Sequence, residues 1–302
     1  VGKSIEVFFL NNEKVLSGMH TLQARQKENK LAVGFGGHLF MSEYIRRQIQ
    51  REAQGAKVLG VSATRLSNTI IFYPKNKTEQ KKIASCLSSL DDLITAHTQK
   101  LDTLKAHKKG LMQQLFPAEG EKGPKLRFAE FKDSGEWEED IMDNVAEFLK
   151  GKGISKADIS STGSLPCIRY GELYTYYNEV IDTVISFTDL SPDELILSEA
   201  NDVIIPSSGE TREDIATASC VLKSGIALGG DLNIIRAQIN GIFLSYYLTH
   251  AKKKAIAKLA QGDAVVHLYS SQLKKLPIIF PKSKEKKKKI ADCLSSLDRV
   301  IK

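Results

Sequence analysis

The sequence is poor in the residues that build covalent or metal-stabilised folds. It has four cysteines in 302 residues, and no two of them stand in a C-x-x-C spacing. We therefore expect free thiols in a reducing cytoplasm rather than a disulfide framework. No apolar run approaches the length of a membrane span, and no signal peptide is recognisable. These absences predict a cytoplasmic protein with no membrane partner.

The motifs of common nucleotide and metal enzymes are also missing. There is no Asn/Asp-Pro-Pro-aromatic string, which an adenine methyltransferase requires, and no complete P-loop. The six histidines are scattered without metal-ligand spacing. Gly34–Gly37 is too short a glycine run to indicate a cofactor loop and predicts a turn, and the lysine run 284–287 predicts a solvated helix start. We expect no catalytic residues, no metal and no intrinsic cofactor.

What the sequence has in excess is positive charge. Its net charge is +7 and its pI is about 9.0. This favours an anionic partner, nucleic acid first, without proving one.

The chain also repeats itself once over a long distance. IASCLSSLDDLI (83–94) returns as IADCLSSLDRVI (290–301), displaced by 207 residues. The same displacement relates two further matches, Ala53-Gln54-Gly55 with Ala260-Gln261-Gly262 and Pro74 with Pro281. A period this long exceeds the unit of a solenoid and indicates two copies of a whole module, each closed by the same helix. Two similar modules suit a target in two parts.

The two copies are unequal in length. The chain begins at Val1 without methionine and stops at Lys302 inside the second repeated helix, so we expect a fragment of a longer protein. The predicted divisions are a truncated first module (1–78), a long helix (79–116), a complete second module (117–281) and the start of a distal helix (282–302).

The repeated helices carry a heptad seam. In the first helix its members are Ile83, Leu87, Leu90, Ile94, Leu101, Leu104, Leu111 and Leu115, and in the second they are Ile290, Leu294, Leu297 and Ile301. The seam favours pairing of the two helices over the alternative, a core helix in a bundle, and His97 and Lys108 would fix the register. A helix of about 37 residues spans roughly 55 Å, longer than one turn of DNA at about 34 Å, so it could act as a ruler.

The second module has a mixed α and β pattern. We predict a helix over 137–148, strands over 166–170 and 202–206, a strand pair 226–228 and 232–237, a helix over 239–259, and closing strands 265–268 and 277–280. The predicted fold class is α+β, with recognition modules joined by long helices that pair as an antiparallel coiled coil.

With these motifs in order, the chain resembles the specificity subunits of type I restriction-modification systems, the HsdS family. The resemblance rests on the following stretches: Gln261-Gly262, His267-Leu268, the run 273–281, Lys289-Ile290-Ala291 with Leu294 and Leu297, and the central segment 104–139. It covers almost the whole chain. One departure is the run 284–287, where the family carries a Glu-Gln pair that the first repeat keeps as Glu79-Gln80.

The resemblance implies a function and a set of partners. Each module would be a target recognition domain that reads one half of a bipartite double-stranded DNA site. The helices would set the gap between the halves and dock two modification (methyltransferase) subunits, which restriction (translocase and nuclease) subunits join. S-adenosylmethionine, ATP and Mg would belong to those partners. A self-dimer is a further expectation if the short form is natural.

Exposed polar loops are the candidates for contact with DNA. The predicted DNA-binding residues are Lys150, Lys152, Arg169, Tyr170, Ser207, Ser208, Arg212 and His267. For the loop residues the competing interpretation is a solvated or half-buried side chain, and for His267, which lies on a predicted strand, it is a core residue. Two other functions stay open: the recognition region of a single-chain restriction enzyme–methyltransferase, and a coiled-coil scaffold that does not bind DNA.

Overall fold

The computed structural model describes residues 2–8, 12–55, 59–262 and 265–301. These residues form two compact units, 1–101 and 102–302. The dividing point falls inside the longest helix.

The first unit is largely helical in its described part. Its helices are α1 (Phe35–Met41), α2 (Glu43–Glu52), α3 (Ala63–Leu66) and the first part of α4 (Lys77–Leu115). A small core packs Leu31, Ala32 and Phe35 against Ala84 of α4. The glycine run begins α1, where the carboxylate of Glu6 accepts hydrogen bonds from the backbone N–H of Gly34 (3.0 Å) and Gly37 (2.8 Å).

The long helix has 39 residues; it begins two residues before the predicted range 79–116 and ends one residue before the end of that range. It ends at Leu115, just before Phe116-Pro117, because a residue that precedes proline resists helical angles. The distal helix, α11 (Lys284–Ile301), begins 207 residues after the start of α4, so the duplication extends to the helix starts. In the first unit the seam side chains Leu87, Leu90 and Ile94 are exposed.

The second unit holds the sheets and the larger core. Its strands are β1 (Glu138–Ile141), β2 (Ala146–Lys150), β3 (Leu165–Ile168), β4 (Val180–Ile181), β5 (Ser186–Thr188), β6 (Ile196–Leu197), β7 (Val203–Pro206), β8 (Ser208–Gly209), β9 (Ser219–Val221), β10 (Ala227–Leu228), β11 (Leu232–Ala237), β12 (Val266–His267) and β13 (Pro277–Phe280). A five-stranded sheet has the order β2-β11-β7-β9-β4, and a four-stranded sheet has the order β5-β3-β10-β6. Two strand pairs, β1-β13 and β8-β12, complete the described ladders.

The remaining helices of this unit are short. They are α5 (Met142–Val145), α6 (Tyr170–Thr175), α7 (Arg212–Ile215), α8 (Gly241–Tyr246), α9 (Lys253–Leu259) and α10 (Ser270–Leu273). A π-helical turn, Tyr247–Ala251, joins α8 to α9, so the predicted helix over 239–259 is present but interrupted. Its apolar side chains pack in the main core with Met112 and Leu115 from the end of α4 and with Ile290 and Leu294 of α11.

The predicted helix over 137–148 is wrong. The segment forms β1, the single turn α5 and β2 instead. The carboxylate of Asp140 accepts hydrogen bonds from the Ile141 backbone N–H (2.8 Å) and the Asn144 amide (2.7 Å), which compete with a helical backbone pattern. Antiparallel pairing of β1 with β13, nearly 140 residues away in sequence, stabilises the strand conformation of 138–141 instead of a helix.

The predicted strand pair 226–228 and 232–237 is also wrong, although both strands exist. β10 pairs with β3 and β6, whereas β11 pairs with β2 and β7 in the other sheet. The backbone N–H of Gly229 donates to the carbonyl of Ile168 and that of Gly230 to the carbonyl of Gly153, so this turn leads from one sheet to the other. The two predicted closing strands pair with β8 and β1, outside the five-stranded sheet.

The lysine run at the start of α11 is only partly solvated, contrary to the prediction. Lys286 and Lys287 are buried, while Lys284 and Lys288 are exposed. Burial, followed by the nearby Arg127 charge, lowers the pKa of Lys286 to about 8.

Candidate nucleic-acid interface

One edge of the five-stranded sheet brings most of the candidate loops together. Strands β2 and β7 both run antiparallel to β11, with Lys150 opposite Asn233 and Pro206 opposite Leu232. The loops that follow β2 and β7 therefore meet the loop that precedes β11. We call this region, formed by 150–154, 207–212 and 229–231, the loop edge.

Backbone hydrogen bonds tie these loops to one another. The N–H of Lys152 donates to the carbonyl of Leu228 (2.9 Å), and the N–H of Ser207 donates to the carbonyl of Asp231 (2.8 Å). A Cβ atom on Gly151 would lie 2.0 Å from the carbonyl oxygen of Gly229, so only glycine fits this approach. The loop edge is thus a fixed framework from which side chains project.

Three predicted cations project from this framework into solvent. Lys150, Lys152 and Arg212 are exposed, and none of them forms an ion pair with another described residue. Arg212 begins α7, where the hydroxyl of Thr211 accepts a hydrogen bond from the N–H of Asp214 (3.1 Å) and caps the helix. Their charge is therefore available to an anion.

The two predicted serines are not exposed loop residues. Ser207 and Ser208 are buried, with 6% and 9% of their surface exposed. The backbone of Ser207 is held on both sides, since its carbonyl also accepts from the N–H of Leu268 (3.0 Å). Their strand-like pairing with the segment 266–268 explains the error, because that contact is remote in sequence.

Arg169 is half-buried rather than free. Its guanidinium lies 3.5 Å from the buried carboxylate of Glu172, which also accepts a hydrogen bond from the hydroxyl of Ser186 (2.6 Å). The neighbouring Tyr170 is also half-buried and packs 6.4 Å from the ring of Tyr174. Arg169 therefore has a carboxylate partner within the protein, unlike the three exposed cations.

His267 lies at the loop edge with an exposed ring. Pairing of β12 with β8 places it opposite Ser208, whose hydroxyl lies 3.2 Å from His267 Nδ1. The same hydroxyl lies 3.3 Å from the carboxylate of Asp231. Tyr269, also exposed, stacks on the imidazole at 6.4 Å. The sequence alone did not point to Asp231, whereas Tyr269 follows the duplicated Gln-Gly turn, which was a usable signal.

A second cluster of polar side chains joins the end of α4 to the module and to α11. The ammonium of Lys108 lies 3.0 Å from the carboxylate of Glu179 and 2.6 Å from that of Asp298. Glu179 also contacts His250 Nε2 (2.6 Å), and the hydroxyl of Tyr246 donates to Asp298. We call this cluster the helix junction. Within the second unit, it is a direct side-chain link between the two repeated helices.

The helix junction is largely desolvated, and its charges compensate one another. Burial on its own would raise the pKa of Glu179, but the hydrogen bond from His250 and the charge of Lys108 outweigh it and lower that pKa to about 2. Burial, followed by the hydrogen bond to Asp298, raises the pKa of Tyr246. Glu179 is therefore an ionised partner of Lys108 at neutral pH.

The described residues offer no metal centre. No three His, Cys, Asp or Glu side chains among them are arranged to hold a metal ion. The thiols of Cys167 and Cys220 are buried, and burial raises their pKa values to about 11 and 12, so neither is a ready nucleophile. Among the residues that the structure describes, no helix is both long and apolar enough to cross a membrane.

Comparison with known proteins identifies related chains. The family model described as the type I restriction modification DNA specificity domain matches residues 2–106 and 134–302. A Methanocaldococcus jannaschii protein named as the MjaX specificity subunit of a type I restriction enzyme is 24% identical over 312 residues, covering 100% of this chain and 69% of the relative. The MjaVIII specificity subunit of the same organism is 23% identical, covering 99% of this chain and 71% of the relative.

A solved structure shows the same fold. The S subunit of a type I restriction-modification system from M. genitalium aligns with a TM-score of 0.59 at 15% identity, covering 90% of this chain and 67% of that one. The chain thus spans about seven tenths of the curated relatives it matches.

Proposed function

The chain belongs to the family of type I restriction-modification DNA specificity proteins, and from that premise we propose that its complete module reads one half of a bipartite DNA site. Specificity subunits are the non-catalytic components of these systems, and this chain is one of them. In this proposal residues 117–281 act as a target recognition domain and the loop edge faces the DNA.

The observation that carries the proposal is the convergence of unpaired cations at the loop edge. Lys150 and Lys152 come from the loop that follows β2, and Arg212 comes from the segment that follows β7; backbone hydrogen bonds connect both to the loop that precedes β11. Cations without a carboxylate partner in the protein can bind the DNA phosphates, which position a protein on the duplex. Side chains beside them can then reach the base edges.

The long helices serve the assembly in this proposal. Helix α4 acts as the spacer between the two modules, and the helices with their flanks dock two modification subunits, which restriction subunits join. S-adenosylmethionine, ATP and Mg are bound by those partners and not by this chain, and the complex works in the cytoplasm.

The proposal is tested by selecting preferred sequences from random duplex DNA and titrating salt. Arg212→Ala is expected to relax one base position and cost about 1–3 kcal/mol on the selected site. Lys152→Ala is expected to weaken binding to all sequences alike and to reduce the log–log salt slope by about one.

Lys223→Ala is the matched control. Lys223 is an exposed lysine that follows β9, and β9 runs antiparallel to β7, so it lies at the opposite edge of the sheet. Its loss should change neither the salt slope nor the selected bases. Equal effects of all three substitutions, or binding that is blind to both sequence and salt, would support the scaffold alternative instead.

A further inference from the structure

The turn that carries His267 is built twice in this chain. In the second module Gln261 and His267 exchange two backbone hydrogen bonds, of 2.9 and 2.7 Å. In the first module Gln54 and Gly60, which precede them by 207 residues, exchange the same two bonds at 2.8 Å. The turn therefore forms with glycine at the histidine position. The imidazole is not needed for the turn and is free to serve another purpose.

The imidazole is nevertheless held in place. Its Nδ1 faces the hydroxyl of Ser208 on the opposite strand, and the ring of Tyr269 stacks on it with an interplanar angle of 27°. Ser208 is buried, so water does not compete freely for its hydroxyl. An exposed ring held from two sides is oriented for recognition.

The Ser208 hydroxyl carries one hydrogen and has two neighbours, so the directions of the hydrogen bonds behind the ring follow from the assignment of that hydrogen. An ionised carboxylate only accepts, so the Ser208 hydroxyl donates its one hydrogen to Asp231 at 3.3 Å. The serine oxygen then accepts from His267, which requires a hydrogen on Nδ1. A neutral imidazole with a hydrogen on Nδ1 has a bare Nε2, and that atom is a hydrogen-bond acceptor.

We propose that Nε2 of His267 accepts a hydrogen bond from the exocyclic amino group of adenine or cytosine in the DNA major groove. In that groove the amino groups are the donors that proteins can reach, N6 of adenine and N4 of cytosine. Ser208 and Asp231 are positioning residues that fix the tautomer. The first module, with Gly60, lacks this contact. The inference rests on the proposed function, because it assumes that the loop edge faces DNA.

The tautomer can be measured without DNA. Nitrogen-15 NMR of the histidine side chains in the full chain, at a pH above the usual titration range of histidine, distinguishes bare from protonated ring nitrogens. We expect a bare Nε2 and a protonated Nδ1 for His267, a mixture of tautomers in Ser208→Ala, and retention of the wild-type pattern in Ser208→Thr. A protonated Nε2 in the wild-type protein, or no change in Ser208→Ala, overturns the inference.

The base contact is measured by sequence selection on random duplex DNA. We expect one base pair of the selected site to be discriminated about tenfold by the wild-type protein, and this discrimination to be lost at that position alone in His267→Gly. This variant copies the first module and is expected to fold. His107→Ala, which removes an exposed imidazole from α4, should leave all positions unchanged.

The outcomes separate the two claims. A selected site that keeps all its bases in His267→Gly overturns the inference and leaves the proposed function standing. If the wild-type protein selects no preferred sequence, the proposed function itself is contradicted. The wild-type selection gives this result before any variant is compared.

Discussion

At the scale of single residues, the duplication preserves a contact while changing its chemistry. In the first unit the buried amide of Gln80 donates to the carbonyl of Pro74 at 2.7 Å. At the equivalent place in the second unit, the buried ammonium of Lys287 donates to the carbonyl of Pro281 at 2.6 Å. A buried carbonyl needs a donor, and either side chain supplies one. The start of the repeated helix is thereby fixed to the proline that ends the preceding segment.

This equivalence predicts the effect of exchanging the two side chains. Lys287→Gln should keep the free energy of unfolding within about 1 kcal/mol of the wild type, whereas Lys287→Ala should cost about 1–3 kcal/mol because the Pro281 carbonyl loses its donor. Urea denaturation measures both. Lys288→Ala, at an exposed neighbour, should change stability by about 0.5 kcal/mol or less. Equal losses for the glutamine and alanine variants would contradict the equivalence.

At the scale of elements, the helix junction fixes the end of the long helix to the second module. Lys108 occupies a polar position in the apolar seam of α4 and meets carboxylates from the module and from α11. A buried cation at a seam position is costly unless it finds its partners, so it favours one register of the helix over others. Its seam position predicts a register role for Lys108, and the structure supplies partners for it.

The helix junction predicts a dependence of stability on pH. The pKa of Glu179 is lowered in the folded state, so its contribution is present above pH of about 4.5 and is lost as pH falls toward 2. At pH 7, Glu179→Gln should lower the free energy of unfolding by about 3 kcal/mol. That difference from the wild type should shrink as pH falls from about 4.5 to 2.

Chemical denaturation across this pH range measures the effect. Glu194→Gln, which alters an exposed carboxylate of the same unit, is the control and should change the free energy of unfolding by about 0.5 kcal/mol or less. A constant difference for Glu179→Gln at all pH values would show that Glu179 is not an ionised partner in the folded protein.

The elements also show which parts of the fold could be predicted from the sequence. The bounds of α4 followed to within two residues from its heptads and from Phe116-Pro117, because both signals are local. The partners of β10 and β11 did not follow, because strand pairing joins distant segments and a three-residue turn is compatible with either arrangement. At the loop edge the exposed cations were predictable from charge, whereas the burial of Ser207 and Ser208 depended on a strand pair with residues nearly 60 positions away.

At the scale of the whole molecule, we propose that the chain acts as two recognition modules and a spacer. The net charge of +7 and the unpaired cations of the loop edge suit a DNA partner, and the exposed seam of α4 in the first unit suits a helical one. In this account the length of the helix sets the distance between the two half-sites.

The spacer role predicts the effect of lengthening the helix. Duplicating the heptad 94–100 within α4 keeps the seam in phase and adds about 10 Å, since each helical residue rises 1.5 Å. The gap between the two half-sites should then grow by about three base pairs. A four-residue insertion, which breaks the seam, should abolish assembly rather than shift the gap. Mapping the methylated sites in cells measures both, and an unchanged gap after the heptad duplication would rule out the spacer role.

The most direct test of the central claim, that the second module reads one half of the site, is a map of methylated adenines. The chain would be produced in cells with its modification subunit, as wild type and as the triple variant Lys152→Ala, Arg212→Ala and His267→Gly. The account predicts a bipartite motif for the wild type and relaxation of one half only in the variant. A motif that is unchanged, or that degrades equally in both halves, would contradict it.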